Sequence, residues 1–197
     1  MDAEEFWQVV ERARVAVGPA ADRARPEAQS PIAEALVAEL TQLTLPEIVE
    51  FDRLFGEVRA QADAWDICAA CWIIQYGFLS DDGFSDFQAG LVSMGRRTFE
   101  AVIANPDSLA SHPAVQQIST SVGRSLWIGD EELLFATHQA YEQLTGDAEA
   151  FWDAKSAEGT TTRPVGRKPE GDRWDLRNEG EWRKRLPRLG AMFLAHR

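Results

Sequence analysis

The sequence predicts an all-α fold: an irregular, multi-helix single domain with a basic C-terminal tail packed on an acidic body. Three observations carry that expectation. Apolar residues recur at three- and four-residue spacings along most of the chain, the signature of amphipathic helices. Ser, Thr and Asp residues stand where N-caps are needed. Period-two alternation, internal repeats and low-complexity tracts are scarce. With 197 residues, 45% of them hydrophobic and 26% charged, the composition is that of a globular chain able to close one sizeable core.

The elements follow in order. Asp2 and Glu5 have capping-box spacing, and Phe6, Val9, Val10, Ala13 and Val17 form one apolar stripe that ends at Gly18-Pro19. A second helix is expected over Pro26–Leu43, with Ile32, Leu36, Val37, Leu40 and Leu43 inward. Thr44-Leu45-Pro46-Glu47 opens a third, burying Ile48, Phe51, Leu54, Phe55 and Val58. Trp65–Tyr76 is apolar on almost every side, which places a helix at the centre of the core. Ser80-Asp81-Asp82-Gly83 starts another helix, Gly95 breaks it, and a further turn or two of helix runs to Ala104. Asn105-Pro106-Asp107 is a turn, residues 111–129 read as a short helix plus loop, and Asp130 caps a helix ended by Gly146. A helix over Asp147–Ala157 completes a domain at residues 1–157. Residues 158–172 have almost no apolar content and read as a linker or long loop. Residues 173–197 form a basic segment with Trp174, Trp182, Leu186, Leu189 and Phe193 as anchors, divided at Pro187.

Charge is unevenly spread. Residues 1–154 hold 9 basic and 26 acidic side chains, whereas 155–197 hold 11 basic and 6 acidic. An acidic body repels phosphate backbones, so nucleic acid is an unlikely partner, and the tail is expected to fold back onto the body. No apolar run reaches the length of a membrane span, and the acidic N-terminus lacks the basic start of a secretory signal; a cytoplasmic protein is expected.

Few residues carry recognisable chemistry. Cys68 and Cys71 have C-x-x-C spacing but sit in an apolar helix with no second Cys or His pair to complete a zinc site, so they read as core. His138 lies four residues before Glu142, either an acid–base pair or a solvated ion pair. Asp81, Asp82 and Asp86 put three carboxylates within six residues, either a cation site or a charged helix start. Trp65 and Trp72 are seven apart, on one helical face, and together with Tyr76 they form either core or the wall of a ligand pocket.

At Trp65–Ala110 the chain resembles the bacterial family catalogued as domain of unknown function number 4240. The strings Ser80-Asp81-Asp82-Gly83-Phe84-Ser85-Asp86-Phe87 and Ala104-Asn105-Pro106-Asp107-Ser108-Leu109-Ala110 carry the likeness, with Gly95-Arg96 and Phe99 between them and Phe6-Trp7 and Ala140–Gly146 as similar flanks. It departs at Tyr76-Gly77-Phe78-Leu79, where the family has a Gly-Gly-Cys-like stretch, and at Gln88 and Gly90, where an Arg and a Trp are common. The resemblance implies no reaction. It marks Asp81–Asp86 as a signature region.

The resulting expectation is a binding protein that recognises a protein or small ligand at an acidic and aromatic site. That site is made of Trp72, Tyr76, Asp81, Asp82, Asp86 and Arg96, with no cofactor and no metal. A basic protein partner such as a toxin is one example of what the charge would suit. Two alternatives stand beside it: a metal-dependent or carboxylate-based hydrolase using Asp81, Asp82 and Asp86, and nucleic-acid binding through the C-terminal segment, with Trp174 and Trp182 stacking bases.

Overall fold

In the computed structural model, residues 1–26, 29–121, 125–157 and 169–195 are described, and among them the regular structure is helical with no strand. The first helix, α1 (Ala3–Val17), begins with the Asp2–Glu5 capping box: Glu5 N–H donates to Asp2 Oδ1 at 2.9 Å and Asp2 N–H to Glu5 Oε2 at 2.7 Å. It packs on α2 (Pro31–Leu40), and α2 and α3 (Leu45–Gln61) both lie against α8 (Ala136–Thr145). Thr44 and Glu47 form the second capping box, at the start of α3.

The second helix starts later than its expected Pro26. Ser30 is the cap, accepting from Ala33 N–H at 3.1 Å, and Pro31 takes the first helical position, where its missing N–H costs nothing. Upstream, Arg25 is drawn into an isolated antiparallel bridge with Trp127, with N–H···O distances of 3.1 and 2.7 Å. A buried ion pair anchors that crossing. Arg25 donates to the Asp130 carboxylate, which also accepts from Ser30 Oγ at 2.8 Å and Leu133 N–H at 3.2 Å. Burial pushes the Asp130 acid up, while Arg25 and Ser30 pull it back. Asp130 thus steadies a 3₁₀ turn at Glu132–Phe135, and the α-helix proper begins only at Ala136.

The central helix is α4 (Trp65–Ile74), buried on nearly every side, with Cys68 and Cys71 as free core thiols. Desolvation pushes the Cys71 thiol well up, with further upward pressure from Cys68 and Asp86, so it stays protonated. Next comes α5 (Asp81–Ser93), capped by Ser80. Gly90 of α5 is where the 125–130 segment crosses: a Cβ there would lie 1.9 Å from the Ile128 carbonyl oxygen. Gly95 separates α5 from α6 (Arg96–Ala104). The Asn105-Pro106-Asp107 turn opens a 3₁₀ helix, Pro106–Ser111, followed by α7 (Pro113–Thr120).

The C-terminal segment belongs to the same core. Beyond α9 (Ala150–Ala157), Glu170 bridges the start of α4: Trp65 N–H donates to its carbonyl at 2.7 Å and its own N–H donates to Asp63 O at 2.8 Å. Residues 158–168, most of the expected linker, lie outside the described residues. Two short helices follow, α10 (Glu179–Arg185) and α11 (Pro187–Leu194), divided at Pro187. Trp182, Leu186, Leu189 and Phe193 are 0–1% exposed. Leu186, the residue preceding α11, offers no side-chain cap. The cap comes from a residue 81 positions away. Asp107, itself buried, accepts Arg188 N–H at 3.0 Å and Leu189 N–H at 2.9 Å. Its charge also suits the positive end of the helix.

Replacing Asp107 with Ala leaves two N–H groups, one buried and one part-buried, without an acceptor. The expected loss is about 2 kcal/mol, read as a melting-temperature drop of roughly 4–8 °C for a chain of this length. Asp107→Asn keeps an acceptor and should lose less; equal melting of wild type and Asp107→Ala by calorimetry contradicts this role.

Candidate functional site

The six residues expected to form one site lie on α4 (Trp72), in the turn after it (Tyr76), in the first two turns of α5 (Asp81, Asp82 and Asp86) and at the start of α6 (Arg96). Asp81 and Asp82 are exposed in the first turn of α5, where Ser80 Oγ accepts Gly83 N–H at 3.0 Å, so their immediate role is to charge a helix start. Asp86, one turn on, is half-buried, and its carbonyl accepts Asp130 N–H at 2.8 Å. Arg96 lies beyond the other end of α5, separated from Asp82 by roughly 17 Å of helix rise. There it bridges α6 to α1, with ion pairs to Glu100 at 2.7 Å and Glu4 at 2.5 Å and its backbone N–H on Glu11 at 3.0 Å. Those carboxylates hold its guanidinium charged. Among the described residues no three His, Cys, Asp or Glu side chains gather in a metal-holding group.

Tyr76 ends α4 in a left-handed conformation (φ 52°), unusual for a bulky residue. Its hydroxyl donates to Ile118 O at 3.0 Å, and its ring meets Phe193 edge-on at 5.5 Å, contacts that help hold it there. Burial pushes the phenol up, so it stays a neutral donor. Gly77, also at positive φ, then turns the chain beneath the Trp72 ring, 3.4 Å from where its Cβ would be.

Trp72 is the expected site residue that opens onto a cleft. With Trp65 one heptad earlier on α4, it faces the segment Arg173-Trp174-Asp175-Leu176-Arg177, and these seven residues line an open cleft of about 540 Å³. The segment is fastened at both indoles: Trp65 Nε1–H donates to Trp174 O at 3.1 Å, and Trp174 Nε1–H to Asp66 Oδ1 at 2.7 Å. Guanidinium groups stack on both, Arg173 over Trp65 at 5.1 Å and Arg185 over Trp174 at 5.7 Å. The seven-residue spacing of Trp65 and Trp72 signalled half of this cleft. The other half, more than 100 residues away in sequence, gave no local signal.

The histidine pair does not form. His138 Nε2 donates to Ala148 O at 2.8 Å and the ring lies against Phe151 and Trp152, fastening α8 to α9. The more telling histidine is His112. Burial pushes its imidazole below the ordinary 6.5, opposed by Asp22 at 3.6 Å and reinforced by Arg14. Its Nδ1 accepts Ala114 N–H at 3.3 Å and caps α7. Nor are Trp174 and Trp182 available as stacking platforms: Trp174 is 9% exposed and Trp182 1%, with the Trp182 indole N–H on Leu176 O at 2.7 Å.

Residues 1–143 match the family model described as "Protein of unknown function (DUF4240)". The chain belongs to that family. No curated protein and no solved structure matches it. The matched span contains Trp65, Trp72 and the capping Asp107, whereas residues 173–177 lie beyond it, so the cleft is completed by chain outside the family match. No helix among the described residues is long and apolar enough to cross a membrane.

His112 gives a pH dependence of definite sign. The unfolded imidazole binds protons more readily than the folded one, so stability is full above pH 6.5 and falls as pH drops below it. Protonation of Nδ1 also removes the α7 cap. His112→Asn, which keeps a short acceptor, should lose this acid-side slope in urea titrations between pH 7 and 5; an unchanged slope contradicts the assignment.

Proposed function

We propose that this protein acts by binding, and that its ligand is a small molecule presenting a flat ring to the cleft between α4 and residues 173–177. The observation that carries this reading is the Trp72 indole. Half-buried, it lines the cleft, and its N–H has no acceptor among the described residues, whereas the other two indoles of the cleft, Trp65 and Trp174, each donate to the protein. A large aromatic surface with one donor not engaged by the protein offers ring contact and one directional hydrogen bond. The cleft volume of about 540 Å³ is within the range of small-molecule sites. The walls are also held in place beforehand, by the Trp65–Trp174–Asp66 hydrogen bonds and the stacked guanidiniums, which lowers the ordering cost of binding.

The hydrolase alternative is supported only by the spacing of Asp81, Asp82 and Asp86. Nucleic-acid binding through the C-terminal segment retains its charge but not its stacking rings.

Titrating the full chain with 2-naphthamide, a neutral flat probe, tests the reading. The Trp72 and Trp65 indole N–H resonances should shift while that of buried Trp182 stays, and Trp72→Ala should weaken binding at least tenfold. A probe that shifts none of them, or binds equally to Trp72→Ala, contradicts it.

A further inference from the structure

Granting that the cleft takes a flat ring, the charge of its occupant follows from which of its polar groups are already engaged. A cluster of tryptophans ordinarily suggests a cation held over ring faces. Here two of the three rings already carry one: Arg173 is centred 5.1 Å from the Trp65 ring and Arg185 5.7 Å from that of Trp174. An incoming cation would compete for those faces and meet like charge.

The donors are in the opposite condition. Arg173 and Arg177 line the cleft, and neither guanidinium has an ion pair or hydrogen-bond acceptor among the described residues. The Trp72 indole N–H is likewise unengaged. The nearby carboxylates have partners of their own. Asp66 accepts from Trp174 Nε1 and lies 4.0 Å from Arg185, and Asp175 turns back to accept the Arg177 backbone N–H at 2.9 Å. Arg12, Arg14, Arg25, Arg53 and Arg96 each meet a carboxylate, whereas among the described residues exposed Arg23 and Arg97 share the unpaired state of Arg173 and Arg177; what distinguishes the latter two is that both line the cleft. In a protein of net charge −12 with acids in excess, two guanidiniums that line one cleft without a carboxylate partner, beside an aromatic wall, form a complementary site for an oxyanion.

We propose that the cleft selects an aromatic acid: a flat ring lying against Trp72, the one cleft indole without a guanidinium on its face among the described residues, that carries a carboxylate or phosphate, with the acid group held by Arg177 and Arg173 and a ring-borne or acid oxygen accepting from Trp72 Nε1–H. The guanidinium planar fork matches either oxyanion, and the test separates the two. The long-range repulsion from the acidic body is screened within about 8 Å at physiological ionic strength, whereas contacts inside the cleft are not.

The experiment uses the full chain and four probes of one shape, by calorimetric titration: 2-naphthoate, 2-naphthyl phosphate, neutral 2-naphthamide and cationic 2-naphthylmethylamine. At least one of the two anions should bind ten-fold or more tightly than the amide, with the amine weakest, and the stronger anion names the oxyanion. Arg177→Gln and Arg173→Gln should each narrow the anion–amide gap while far-UV circular dichroism stays that of the wild type. If the amide or the amine binds as tightly as both anions, the acid-selective reading is overturned while ring binding stands. If no probe binds, ring binding itself fails and this inference goes with it. If the anions bind best but neither arginine variant narrows the gap, the assignment to Arg173 and Arg177 is wrong.

Discussion

A buried carboxylate that caps a helix from far away organises this molecule. Asp107 sits in a 3₁₀ turn against α4, and its two oxygens take the first free N–H groups of α11. An isolated eight-residue helix is not stable in water. With its N–H groups satisfied and Leu189 and Phe193 inserted into the core, it is held as one element of the fold. That docking fixes the end of the C-terminal segment. The Glu170 bridge to Asp63 and Trp65 fixes its beginning, and residues 173–177 between them are left lying across α4. The aromatic cleft is therefore a consequence of how the tail is tied down at both ends.

Electrostatics work with that docking. The tail carries the excess of basic residues and the body the excess of acids, but the contacts that matter are specific. Arg185 reaches Glu181 at 3.0 Å within α10, lies 4.0 Å from Asp66 on α4 and stacks on Trp174. Surface ion pairs of this kind each contribute little. The apolar anchors supply most of the attachment, and the charges set orientation. Arg173 and Arg177 stand apart from this pattern, since they serve no attachment by ion pairing.

What was legible in the sequence was local. Asp2, Thr44 and Ser80 are read as caps because the residues they serve are within three positions, and each is found capping. The all-round apolar character of Trp65–Ile74 marked the central helix, and Pro187 marked the division of the tail, for the same reason. The start of α2 lies at Pro31 and not at Pro26: both Pro26 and Ser30-Pro31 resemble helix openings, and the choice is made by Trp127, about 100 residues on, pairing with Arg25. The acidic signature reads as a site because three carboxylates are close in sequence, but α5 gives Asp81 and Asp82 to solvent and turns the backbone of Asp86 toward Asp130. Asp107 reads as a turn residue, and its second role exists only in three dimensions.

The most direct measurement is native-state hydrogen exchange of the α11 amides compared with those of α4 in the intact chain. If the tail is part of one cooperative core, Leu189 and Gly190 N–H exchange as slowly as Cys71 and Ile73, and Asp107→Ala accelerates the α11 pair selectively. Exchange of the α11 amides on the timescale of an unprotected peptide, with α4 still protected, would mean that the tail is not fastened and that the cleft it completes does not persist.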